Sequence, residues 1–237
     1  MNQLSTIRQK EHELFFKWRE QLNNENKIFI PDGVVDTDRW SDTSPRILFL
    51  LKEVNGGDTE WDERDYLAHY NTKEEYIKTH SPTITALIQW IHAFMTDSHH
   101  DWHTVEKKLE DKSLQSELLS QIALVNVKKT PGEGTFNGES FYNYWKNNEN
   151  VQNLKEQLAI YSSSLTPPDF IVCGGTAWCY NEVFKDKRLV WQTTSRGITY
   201  CKHGQSIVVD YCHPQARIAS NIKYYALYDA IQEILAQ

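Results

Sequence analysis

The chain has no run of about 20 apolar residues, so it carries no ordinary membrane-spanning helix, and its mean hydropathy is low, at -0.61. It has only four cysteines (Cys173, Cys179, Cys201 and Cys212), and none stands in a Cys-x-x-Cys pair. They read first as reduced, small hydrophobic residues, with a disulfide or a zinc site as the lesser alternative. There is no excess of basic residues. The formal net charge is -7, which counts against a broad nucleic-acid-binding face. It leaves room for a local basic patch, because only charges within a screening length of about 8–10 Å act together. The opening Met1-Asn2-Gln3-Leu4-Ser5 lacks a basic segment followed by an apolar one. No signal peptide is expected, and the cytoplasm is the expected location. Repeats, low-complexity tracts and evident linkers are also missing, so residues 1–237 read as one domain.

What is present is a series of apolar stretches, each ending in a short polar loop. Pro45-Arg46-Ile47-Leu48-Phe49-Leu50-Leu51 runs into Lys52-Glu53-Val54-Asn55-Gly56-Gly57-Asp58. Ile122-Ala123-Leu124-Val125 runs into Asn126-Val127-Lys128-Lys129, and Phe170-Ile171-Val172-Cys173 into Gly174-Gly175-Thr176-Ala177. Ser206-Ile207-Val208-Val209-Asp210 runs into Tyr211-Cys212-His213-Pro214-Gln215-Ala216-Arg217. Runs without alternation suit strands buried on both faces. In a mainly parallel sheet their carboxyl ends share one crevice, where ligands bind.

Between these strands the pattern is helical. Residues 5–22 carry apolar positions at helical spacing, and an irregular stretch follows through Pro31-Asp32-Gly33 to Pro45. An insertion of about residues 60–121 reads as mostly helical, with Ser81-Pro82 as a helix start. Residues 130–138, with three glycines and Pro131, read as a flexible loop. Helices are expected over 140–162, 176–184 and 221–235, and short strands over 189–192 and 198–201. The expected fold is α/β, a three-layer sandwich with a short, mainly parallel central sheet and a helical insertion after the first core strand.

Three polar residues stand at the strand ends. Glu53 lies beside paired glycines, which permit close approach of a backbone or phosphate. Asn126 offers an acceptor and two donors, the equipment for reading a base edge. His213, stiffened by Pro214, is suited to donate to a developing anion. Taken alone, Asn126 is as readily structural as functional, and Glu53 and His213 are more often structural. His99 and His103 are four residues apart in a polar segment, but no third ligand follows at a suitable spacing, so an inter-helix loop is the preferred reading over a metal site.

Taken in order, the motifs resemble the uracil-DNA glycosylase superfamily. Lys52-Glu53-Val54-Asn55-Gly56 is similar to that family's Gly-Glu-Ala-Pro-Gly loop, Leu124-Val125-Asn126-Val127-Lys128 to its base-reading strand, and His213-Pro214-Gln215-Ala216-Arg217 to its late His-Pro-Ser motif. Asp169 to Ala177 resembles the strand and turn between them. The likeness covers roughly residues 46–217. Departures are Lys52 for Gly, Asn55 for Pro and Gln215 for Ser, and the iron–sulfur cysteines of one branch are missing.

The resemblance implies a monofunctional DNA glycosylase, monomeric, needing no metal or other cofactor, which flips a base from single- or double-stranded DNA. Glu53 would be the catalytic carboxylate with Asp58 in reserve, and His213 would stabilise the departing base. Asn126 would read that base, Trp61 or Tyr66 would stack on it, and Asn55 and Gly56 would line the first loop. Lys128, Lys129, Gln215 and Arg217 would contact DNA, with Lys202 and Arg196 as further phosphate contacts. The departures favour a substrate other than uracil, such as a hypermodified cytosine of phage DNA, which would give a defence role. Two alternatives stay open: a catalytically inactive nucleic-acid or nucleotide-binding module, and a hydrolase of free nucleosides or nucleotides.

Overall fold

A computed structural model describes residues 3–55, 59–72, 81–132 and 137–237. The expected site residues Gly56 and Asp58 lie outside them, as does the side chain of Asn55. In chain order the described elements are α1 (Gln3–Asn24), β1 (Gly33–Val34), α2 (Thr37–Asp42), β2 (Ile47–Asn55), α3 (Glu63–Ala68), α4 (Pro82–Met95), α5 (Trp102–Leu109), α6 (Lys112–Ser120) and β3 (Ala123–Gly132). There follow α7 (Gly138–Trp145), α8 (Asn148–Ser162), β4 (Phe170–Gly174), α9 (Ala177–Val183), β5 (Gln192–Thr193), β6 (Thr199–His203), β7 (Ser206–Tyr211) and α10 (Ser220–Leu235).

All seven strands form one sheet in the order β1-β3-β2-β4-β7-β6-β5. The central four are parallel, while β1, β6 and β5 run antiparallel to their inner neighbours. The sheet is therefore mixed and wider than the short one expected. Side chains alternate between two cores. Ile47, Phe49 and Leu51 of β2 join one apolar cluster with α4 and α10, while Leu48 and Leu50 join the other with α1, α8 and α9. Two buried faces explain why these strands read as continuous apolar runs.

The helical insertion packs as α3, α4, α5 and α6 against the first face. Ser81 caps α4, its hydroxyl accepting from Ile84 N at 3.4 Å, with Pro82 opening the helix as expected. Asp101 and Asp111 cap α5 and α6, and Asp111 divides the end of the helical insertion in two. Likewise the side chain of Asn147 accepts from Glu149 N and divides α7 from α8. The segment expected to be irregular holds β1 and α2, the latter started by Asp36, which accepts from Asp38 N and Arg39 N.

Two corrections bear on the site. β3 continues to Gly132, so Asn126 is a mid-strand residue and Thr130 to Gly132 belong to the sheet rather than to a loop. Also, Leu189 to Trp191 form no strand, and only Gln192 and Thr193 pair with β6.

Candidate active site at the carboxyl edge of the sheet

The connection after β2 runs through helices on the first face, and the connection after β4 starts with α9 on the second. The carboxyl ends of β2 and β4 are therefore where the topology opens a crevice. Alternation along β2 sends Glu53 to the first face and Lys52 to the second. At the end of β4, Gly174 has no side chain to offer. A Cβ there would stand 2.5 Å from Leu51 Cδ2 and 3.3 Å from Pro214 Cδ, so the loop after β7 leans back over β4 toward β2. Gly175 adopts a left-handed conformation (φ +73°) in which its N–H donates to Tyr211 O at 2.8 Å. Thr176 Oγ1 donates to Leu50 O at 2.6 Å and ties the turn to β2.

His213 stands against this turn, its Cβ 3.5 Å and the Lys52 Cε 3.6 Å from the position a Gly175 Cβ would take. Its Nδ1 accepts from the backbone N–H of Gln215 at 3.2 Å, which in the neutral ring leaves the proton on Nε2. Burial holds the imidazole pKa below its ordinary value, and the ammonium groups of Lys52 and Lys223 lower it further. At neutral pH His213 is thus an uncharged Nε2–H donor. Its loop is tied down twice. Lys223 Nζ, buried on α10, donates to Pro214 O at 2.7 Å, and Gln215 Nε2 donates to Thr83 Oγ1 at 2.8 Å. Arg217 and Ile218 remain exposed at the loop's far end.

The β3 side of the edge is built differently. Glu53 stands opposite Lys128 in the parallel register and pairs with it at 2.7 Å, each side chain under a tenth exposed. Gly132 makes room for this carboxylate, since a Cβ there would lie 2.6 Å from Glu53 Cδ. Asn126, 2% exposed, sits one step deeper on the same face, opposite Leu51. Its Nδ2 donates to Glu63 Oε2 at 2.5 Å and reaches Asp32 Oδ2 at 3.4 Å, while its backbone N–H donates to Asp32 Oδ2 at 2.7 Å. Lys129 projects to the other face and is wholly buried. Its Nζ lies 2.5 and 2.6 Å from the two oxygens of Asp32 and 5.3 Å from the centre of the Trp18 ring. Burial pushes the Lys129 pKa down, against the opposing pull of Asp32.

The network continues through Gln157, which donates to Asp32 at 2.9 Å and to Tyr161, and through Tyr161 to Glu11 at 2.8 Å. Arg64 closes it with Glu11 at 2.8 Å and a forked contact to Asp62. Glu63 belongs to the same network: burial raises its pKa to about 8, with the charge of Asp32 adding to the rise.

These placements sort the residues expected from the sequence. Glu53 and Asn126 lie together on β2 and β3. His213 follows β7, three strand spacings or about 14 Å along the edge from β3, although its loop leans inward. Trp61, before α3, and Tyr66, within it, stand edge to face at 5.6 Å, both half-buried and within three residues of Glu63, and Tyr70 extends the row. Lys128 and Lys129, expected on the surface as phosphate contacts, are inside the protein. An ammonium in a core requires a carboxylate, and Glu53 and Asp32 supply them. Gln215 is exposed but engaged with Thr83, Lys202 is exposed, and Arg196 pairs with Asp229.

Asp32, Glu63 and Lys223 escaped the sequence reading. The clue was Lys128-Lys129 directly after Val127: two lysines continuing a buried strand call for acidic partners elsewhere in the chain. Among the described residues, no group of three or more His, Cys, Asp or Glu is arranged to hold a metal ion. No protein-family model matches the chain, and no curated protein matches it.

Proposed function

We propose that the protein is a DNA glycosylase of the uracil-DNA glycosylase type, hydrolysing the N-glycosidic bond of a base turned out of the stack. The observation that carries the reading is His213, an uncharged Nε2–H donor held against a glycine turn between two lysines. When the bond breaks, its electron pair leaves with the base, which becomes an anion. A fixed donor beside cations stabilises that anion as it forms, an effect of about 3–4 kcal/mol in comparable sites. The sugar becomes correspondingly electron-poor, and water attacks its anomeric carbon. Glu53, at the carboxyl end of the neighbouring strand, is the carboxylate for that half of the reaction. Asn126 holds the base edge, and Trp61 and Tyr66 supply the aromatic wall. A base other than uracil, such as a hypermodified cytosine, remains the preferred substrate.

The test is base release from oligonucleotides carrying uracil, other deaminated bases or hypermodified cytosines, with free nucleosides alongside. Full release by folded Asn126→Ala and His213→Ala variants would refute the proposal. A second reading, binding without cleavage, is favoured by the Glu53–Lys128 pair, which already engages the carboxylate. Tight DNA binding with no abasic product across the whole panel would select it.

A further inference from the structure

An asparagine that reads a pyrimidine edge needs its donor and its acceptor both free, because such an edge presents one of each. Here the donor half of Asn126 is spent. Its Nδ2 faces Glu63 Oε2 at 2.5 Å and Asp32 Oδ2 at 3.4 Å, and both neighbours are acceptors. Asp32 accepts from the Lys129 ammonium through both of its oxygens. In this orientation it is Nδ2, not Oδ1, that faces both oxygens. What Asn126 has left is Oδ1, which takes no hydrogen bond among the described residues.

We propose that Glu63 is a specificity-determining residue, its carboxyl O–H replacing the spent amide as the donor to the base edge while Asn126 Oδ1 accepts from it. The inference rests on the glycosylase reading for the location of the base. Three observations support it. Glu63 Oε2 is the atom that accepts from Asn126, so a proton on this carboxyl belongs on Oε1, and Oε1 has no hydrogen bond among the described residues. Neither that atom nor Asn126 Oδ1 is among the sealed, partnerless atoms found there, which are Arg19 Nε, Trp90 Nε1, His92 Nε2 and Gln157 Oε1. Third, Glu63 opens the short helix on which Tyr66 stands against Trp61, the two rings proposed as the aromatic wall.

The groups facing Glu63 are Asp32 from the segment before β1, Lys129 and Asn126 from β3, and Asp62 from its own helix start. Burial with the two aspartates keeps it protonated to about pH 8 against the opposing Lys129 and Asn126. The ligand chemistry is a donor beside an acceptor. A uracil-type edge offers N3–H to Asn126 and a carbonyl to Glu63, and a cytosine-type edge offers its amine to Asn126 and N3 to Glu63.

The experiment measures binding and base release, at pH 6.5 and 9.5, for short oligonucleotides carrying uracil, 5-hydroxymethylcytosine or N3-methyluracil. Wild-type protein is compared with Glu63→Ala and Glu63→Gln, each checked for fold by circular dichroism and melting. Expected are a loss of about 10- to 100-fold in Glu63→Ala, recovery of most of it in Glu63→Gln, whose amide still donates, and rejection of the N3-methyl base. Wild-type binding should weaken about tenfold at the higher pH, and Glu63→Gln should not. Discrimination between the uracil and cytosine oligonucleotides names the edge. Unchanged binding in folded Glu63→Ala, or equal alkaline weakening in Glu63→Gln, overturns the assignment even if base release persists. The full pattern in binding without base release would sustain Glu63 and overturn the glycosylase reading. Failure to bind or cleave any of the three would overturn both.

Discussion

The two halves of the carboxyl edge present different chemistry. On the β3 side every ammonium meets a carboxylate: Lys128 with Glu53, Lys129 with Asp32. On the β4–β7 side Lys52 and Lys223 flank His213 and depress its pKa together, with no carboxylate among the causes of that shift. A paired interior holds a strand in place and fixes hydrogen-bond directions, but it has little left to offer an incoming charge. A neutral imidazole that donates through Nε2 is suited to an anion. In the proposed reaction, recognition belongs to the first half and leaving-group stabilisation to the second.

That contrast is tested most severely at Lys129. Lys129→Met leaves Asp32 buried without its cation and should cost about 3–5 kcal/mol. For a chain of this size that is a melting-temperature drop on the order of 10 °C. A drop of a degree or two would show that the pair is not structural. His213→Ala should instead spare the fold and lower base release by about 10²–10³-fold, equivalent to about 3–4 kcal/mol in the barrier. Single-turnover assays beside melting curves separate the two cases.

Gly174→Ala is smaller and joins both measurements. The new methyl collides with Leu51 Cδ2 and crowds Pro214, so about 1–3 kcal/mol of stability should go, together with activity as the His213 loop is displaced. An unaltered rate would mean that the loop position does not matter.

Two opposite pH dependences complete the set. Glu63 keeps its proton to about pH 8 when folded, against an ordinary 4.5. The folded state thus binds more protons between those values, and stability falls as pH rises through them. Glu63→Gln should flatten this alkaline loss. His92, buried between α4 and α10 with Nδ1 against Tyr224 OH at 2.9 Å, has its pKa lowered by burial to about 4 from 6.5. Here the unfolded chain binds the proton more tightly, so stability is lost as pH falls from 6.5 to 4. Urea titrations across pH 4–9 should show both slopes, and a flat profile would contradict both placements.

Much of the architecture was legible because burial on both faces leaves a plain mark. Ile47 to Leu51 and Phe170 to Cys173 read as strands from composition alone, and Ser81-Pro82 announced its helix through capping chemistry. Strand ends were less legible. Asn126, Lys128 and Lys129 look like a polar loop, yet β3 continues through them because partners 75 and 97 residues distant in sequence neutralise the lysines. The same blindness hid Asp32 and Glu63, whose place beside Asn126 depends on β1 pairing with β3 and on α3 docking behind it.

By itself the sequence determined the α/β class, the central apolar strands and the order in which Glu53, Asn126 and His213 occur on or after them, since these depend on local pattern and chain order. Which of those side chains are already engaged was decided only by the tertiary structure. Hydrogen bonds and ion pairs such as Asn126–Glu63 and Lys129–Asp32 join residues far apart in the chain, and periodicity carries no record of them.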